Sequence, residues 1–171
     1  DPIIAVAAQT REQARAAASE LGFELTAVPV DGPAAIQPAI QRLLNAKVEA
    51  LFPMSDNTLN ASFDIIGRAA DESGTPLFSS FLQSVEFGAC AALGFDFYEM
   101  GLETGRLAVR VKNGESPGRI PIRSLSDVRL YLNPGAASRQ GVVFPKAVLD
   151  RAARSVSFMP SAEGASGPVP D

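Results

Sequence analysis

The sequence predicts an α/β fold, a three-layer sandwich with a mainly parallel sheet. Three observations carry this: short apolar runs alternate with amphipathic stretches of helical period, the runs read as continuously hydrophobic rather than alternating, and turn residues separate them. Strands buried on both faces by crossover helices have this pattern.

Residues 3–7 form the first apolar run, and Thr10 is placed to cap a helix that stops at Gly22. The run "FELTAVPV" reads as a second strand. Asp31, Gly32 and Pro33 then open a helix with Ile36, Ile40, Leu43 and Leu44 on its apolar face. "VEALFP" is a third strand, and Leu59, Phe63, Ile66 and Ala70 mark the next helix, which ends near "ESG". "TPLFSS" and "CAALGFDF" follow as strands, and a helix runs from Tyr98 to about Val111, stopped by "KNGESPG". Beyond Arg119 the pattern changes: "IPIRSLSDVRLYLN" reads as an extended segment ending in a strand, and "PKAVLDRAARSV" as a short amphipathic helix. The resulting division is a lobe with crossover segments over residues 1–145, a short helix over 146–158 and a flexible Pro/Gly/Ser/Ala-rich tail over 159–171.

Composition narrows the function. With 171 residues, 46% hydrophobic and 20% charged, the chain can bury a substantial core. A net charge of -4 argues against a nucleic-acid partner, which requires clustered Lys and Arg. The sequence has no His and one Cys, which removes His-dependent triads and the usual zinc ligands and leaves no metal or cofactor to expect. Cys90 lies in the apolar "ACAAL", where a buried small hydrophobe is the natural reading. No apolar run reaches the roughly 20 residues needed to cross a bilayer, and no secretory signal is visible at residues 1–10. Neither a Walker loop nor a dinucleotide fingerprint occurs.

Parallel sheets bind ligands beyond the carboxyl ends of their strands. Three loops qualify: "AAQTRE" with Gln9 and Thr10, "PMSDNT" with Ser55, Asp56, Asn57 and Thr58, and "FSSFLQ" with Ser79 and Ser80. In "PMSDNT" one short polar residue suffices to cap a helix, and the others leave spare donors and acceptors for a small polar ligand. "GFDFYEMG" offers the same two readings: Asp96 is either a cap or a ligand-facing acid flanked by Phe97 and Tyr98, whose rings can stack on a flat substrate or simply pack.

The ordered set "EALFPMSDNTLNAS", "TPLFSS", "GACAALGFDFYEMGLETGRLAVRVKNGESPGRIPI" and "DVRLYLNPGAASRQGVVFP" resembles the tryptophan/tyrosine-type family of ABC transporter substrate-binding proteins, which have the type I periplasmic binding protein fold. There a Thr-Asp-Asn turn follows a strand, and a Gly-[hydrophobic]-Asp-Tyr-Tyr segment leads into a helix ending at Lys-Gly-Glu-Lys-Pro. Asp56 and Asn57 match the first motif, with Ser55 in place of Thr; Asp96 matches the second, with Phe97 in place of Tyr. "FSSFLQ" has Ser80 and Phe81 where relatives tend to carry an acidic turn, and "AAQTRE" lacks their Ser-rich pattern. The resemblance extends to about Pro145 and covers the second lobe plus crossover segments; family members are roughly double the length. It implies a non-enzymatic clamp for a small molecule such as an amino acid, an ABC permease as partner, and a periplasmic or extracellular location. It also implies a homodimer in which a second copy covers the surface of the absent lobe. Two alternatives remain at this level: an input domain of a signalling receptor, and a small α/β enzyme using Asp56 or Asp96 as base.

Overall fold

The computed structural model describes residues 11–122 and 128–156; the strand expected over residues 3–7, the Thr10 cap and the tail from 159 lie outside them. Helix α1 (Arg11–Leu21) ends where Gly22 adopts φ 74°. There Phe23 N–H reaches back to the Ala18 carbonyl at 2.8 Å, satisfying an end-of-helix acceptor. Residues 23–31 carry no strand assignment. Extended chain becomes a strand only through a ladder partner, and "FELTAVPV" has none among the described residues.

A turn of 3-10 helix at Pro33–Ala35 leads into α2 (Ile36–Asn45), which buries Ile36, Ala39 and Ile40. The expected third strand contracts to one parallel bridge, Leu51 with Leu77. The helix expected after it is broken into α3 (Asn57–Asn60) and α4 (Phe63–Ser73). At the break the Ser62 hydroxyl donates back to the Thr58 carbonyl at 3.1 Å, and this kind of back-bonding competes with the helical ladder. Strand β1 (Phe78–Ser79) is followed by a 3-10 stretch Leu82–Phe87, β2 (Ala91–Gly94), α5 (Phe97–Lys112) and β3 (Arg129–Leu132). Then come α6 (Pro134–Arg139), α7 (Lys146–Leu149) and β4 (Arg154–Ser155). Where the sequence suggests one helix over 146–158, four residues are helical and the chain then joins the sheet.

The sheet order is β1-β2-β3-β4, parallel except for β2 against β3. Alternation along the strands produces the layers. Phe78, Ala91 and Leu132 face one side and pack with Ala137 and Val148 of α6 and α7. Leu77, Ala92 and Tyr131 belong to the other side, where Leu77 meets α2 and α4, and Ala92 and Tyr131 meet Leu82 and Val85. This is the three-layer α/β arrangement.

Two devices hold the layers together. Gly67 of α4 lies so close to the 3-10 segment that a Cβ there would fall 1.6 Å from the Phe87 carbonyl oxygen. The second is Gln140, 2% exposed. Its Oε1 accepts from Leu77 N–H and the Cys90 thiol, both at 2.8 Å; its Nε2 donates to Asp71 Oδ1 at 2.6 Å and the Gly88 carbonyl at 2.8 Å. Cys90 is fully buried, and burial pushes its thiol up to about 11, so the buried-hydrophobe reading holds.

Two stability outcomes follow from these contacts. Gln140→Leu strands the Leu77 N–H and the Gly88 carbonyl, so urea unfolding should show a loss of about 3 kcal/mol, each orphaned buried group costing roughly 1–3 kcal/mol. Gly67→Ala forces α4 off the Phe87 backbone, and its urea midpoint should fall by an equivalent of at least about 2 kcal/mol.

Candidate functional site

Parallel registry decides where the loops go. Leu51 bridges Leu77 in parallel, and β1 runs parallel to β2, so the chain leaves all three segments at one edge. That edge carries residues 52–58, 80–83 and 95–98. Strand β3, antiparallel to β2 with Arg129 opposite Gly94, enters the sheet from the same edge. The loops also touch: a Cβ on Gly94 would lie 2.1 Å from the Ser80 carbonyl oxygen, and the Phe81 ring sits 5.8 Å from that of Phe63 at the start of α4.

On the first loop Ser55, Asp56 and Asn57 are exposed and Thr58 is half-buried. Asp56 is the N-cap of α3: Oδ1 accepts from Thr58 N–H at 2.8 Å and Leu59 N–H at 3.4 Å. Its other carboxylate oxygen receives no hydrogen bond from the described residues. The Asn60 amide donates to Ser55 Oγ at 3.3 Å, while Asn60 Oδ1 is buried without a partner.

On the second loop the two serines diverge. Ser79 is 1% exposed, and its hydroxyl accepts from Phe81 N–H at 2.9 Å, so it shapes the turn and does not face the open edge. Ser80 is half-buried beside Gly94. Just beyond, Gln83 Oε1 and Ser84 Oγ are buried without partners.

On the third loop Asp96 is the N-cap of α5. Its Oδ1 accepts from Tyr98 N–H at 2.9 Å and Glu99 N–H at 3.4 Å, and its Oδ2 from the Tyr131 hydroxyl at 2.9 Å. The Tyr131 bond is the main reason the carboxyl is held below its usual range; the two N–H groups and Arg129 add to it. Burial first, and the Asp96 bond second, push the Tyr131 phenol up. Phe97 and Tyr98 are 56% and 72% exposed. Gln9 and Thr10 lie outside the described residues.

The edge is an open ledge. Two concave spaces lie elsewhere: about 390 Å³ between α2 and α4, lined by Gln37, Gln41, Arg68 and Glu72 among others, and about 340 Å³ beside α6 and α7, lined by Ser138, Val143 and Phe144 among others. Among the described residues no group of His, Cys, Asp and Glu could hold a metal, and no helix is long and apolar enough to cross a membrane. The ledge presents oxygen acceptors, two of them ionisable carboxylates, beside exposed rings. Such a surface accepts hydrogen bonds from a cationic or N–H-bearing molecule and stacks on a flat one. The sequence pattern missed Tyr131, Asn60 and Gln83. Tyr131 is hidden in a strand that reads as apolar. Asn60 stands two residues beyond "PMSDNT" and Gln83 closes "FSSFLQ", where only the geometry of short helical turns reveals their buried oxygens.

The sequence model of the family described as ABC transporter substrate binding protein matches residues 2–156. A tyrosine-binding protein of Clostridioides difficile (strain R20291) is 29% identical over 116 residues, covering 68% of this chain and 33% of that protein. Among solved structures, a conserved domain protein of Vibrio cholerae superposes with a TM-score of 0.75 at 30% identity, covering 85% of this chain and 49% of that one. An ABC domain from Streptococcus pneumonia in complex with L-Trp superposes at 0.73 with 26% identity, covering 85% and 50%. The chain thus spans between about a third and half of the length of these relatives. It belongs to the family of ABC transporter substrate-binding proteins.

Proposed function

We propose that this chain forms one wall of a solute-binding cleft serving an ABC-type uptake system, with an amino acid as ligand and Asp56 and Asp96 as the acceptors for its ammonium group. The observation that carries this reading is the convergence of the 52–58, 80–83 and 95–98 loops on one sheet edge, each contributing oxygen acceptors. The names of two relatives, one tyrosine-binding and one solved with L-Trp, support an aromatic amino acid. Phe97 and Tyr98 are placed to stack on its ring. Ser55, Asn57, Thr58 and Ser80 supply neutral polar contacts, and the sequence pattern alone adds Gln9 and Thr10 to the set. The role is binding, not catalysis, in a periplasmic or extracellular protein that delivers its solute to a permease.

Helix α5 motivates a second part of the proposal. None of its residues is buried, although Phe97, Tyr98, Leu102, Leu107, Val109 and Val111 are large and apolar. A surface of this kind marks an interface. We assign it to packing against the opposing lobe; for this chain alone a second copy covers the apolar surface without completing the cleft.

Calorimetric titration with L-tryptophan and L-tyrosine should give weak, saturable binding, because a single wall lacks the contacts made on closure. Asp56→Ala should weaken it by roughly tenfold, the scale of a lost charge-assisted hydrogen bond. No saturable heat with either amino acid would overturn the amino-acid reading. Light scattering on the eluting protein should report a dimer, and Tyr98→Glu with Val109→Glu should return a monomer.

A further inference from the structure

Tyr131 shares the ledge with Asp96, yet neither the loops nor the motifs point to it. It lies on β3, on the sheet face with Ala92, and packs with Leu82 and Val85. Its hydroxyl donates to Asp96 Oδ2 across 35 residues of sequence. The two carboxylate oxygens of Asp96 therefore have separate tasks: Oδ1 takes the first free N–H groups of α5, and Oδ2 is fixed by a side chain from the sheet. A carboxylate held only by its own cap can rotate with the helix end; one held from both sides cannot.

We propose that Tyr131 is a positioning residue for the ledge: it orients the Asp96 carboxylate towards the open edge and fixes the onset of α5 to the sheet. The inference rests on the reading of the ledge as an ammonium-binding surface. Each carboxylate oxygen can accept more than one hydrogen bond, so Oδ2 retains capacity for a ligand N–H while Tyr131 keeps it in place. Preorganising an acceptor in this way raises affinity by removing the cost of ordering it on binding. The phenol is itself held. Arg154 of β4 lies 5.7 Å from the centre of its ring and pairs with Glu86 of the 3-10 segment at 3.1 Å. The charged groups facing Tyr131 are thus Asp96, Arg129, Arg154 and, through Arg154, Glu86.

The chain has two tyrosines and no tryptophan, so Tyr98→Phe leaves Tyr131 as the only phenol in the spectrum. In that background Asp96→Asn should move the phenolate absorbance titration to lower pH, because the negative charge opposing ionisation is gone. Tyr131→Phe should accelerate amide hydrogen exchange at Tyr98, Glu99 and Met100 at least about fivefold over the wild type while leaving α4 unchanged. With L-tryptophan and its deaminated analogue as probes, the same variant should lose roughly tenfold in preference for the amine-bearing molecule, with the analogue bound as before. An unmoved phenol titration together with unchanged α5 exchange would overturn the proposal, and so would an intact amine preference in Tyr131→Phe. Failure of the wild type to bind L-tryptophan would count against the ledge as an amino-acid site alone, since titration and exchange decide the positioning without ligand.

Discussion

The buried Gln140 amide sits where three parts of the chain must agree. It accepts from Leu77 N–H at the entry to β1 and from Cys90 at the entry to β2, and it donates to Asp71 near the end of α4 and to the Gly88 carbonyl. All of these groups lie at the amino ends of the parallel strands. Arg139, the neighbouring residue, adds an ion pair to Asp71 at 2.8 Å. The segment after β3 is thereby fastened to the segment before β1 by a fully satisfied buried network, the kind that fixes one arrangement because every partial alternative leaves a group unpaired. Among the described residues the carboxyl edge is held by local caps, by the Phe63–Phe81 ring contact and by one long-range bond, Tyr131 hydroxyl to Asp96, and it keeps polar groups accessible.

On the proposed reading, capping and ligand contact are compatible at Asp56 and Asp96. A carboxylate has two oxygens, and capping uses one. At Asp56 the cap occupies Oδ1, and the other oxygen is directed to no described group. At Asp96 the cap again occupies Oδ1, while Oδ2 is engaged by Tyr131. On that reading capping also aims the acids, because an oxygen locked onto backbone N–H groups fixes the orientation of its twin. The two acids then differ in kind: one is free on its outer side, the other is supported from the sheet.

The alternation of apolar runs was enough to read the layers and the common edge, since buried parallel strands and crossover helices leave few other arrangements for such a pattern. Residue type marked the caps only as candidates: Asp96 reads equally as a cap or a ligand-facing acid, and any of Ser55, Asp56 and Asn57 suits the cap of the earlier helix. What stayed hidden depends on distant partners. Gln140 looks like any solvated residue near a helix end until Leu77 and Cys90 are brought to it. Tyr131 looks like one more apolar residue of a strand. The antiparallel β3 was unreadable because its direction is set by the path after α5, and β4 because "RAARSV" has helical composition while its strand exists only through the β3 ladder. The break between α3 and α4 turns on one hydroxyl bond.

Helix α5 connects these themes. Tyr98, Leu102, Gly105 and Val109 recur on one stripe, Met100, Thr104, Leu107 and Val111 on another, and Glu99, Glu103, Arg106 and Arg110 on a third. Phe97, Gly101, Ala108 and Lys112 form the fourth, so three of four stripes are mostly apolar or small, too much of the circumference for a helix resting on one sheet in water. Its first turn is also capped by the acid that the proposed ligand would meet. On that reading, whatever covers the apolar stripes and whatever binds at Asp96 act on one rigid rod, anchored to the sheet through Tyr131. A ligand that holds Asp96 in place also holds the surface on which the opposing wall must close, so binding and closure are linked through the helix rather than through the ligand alone.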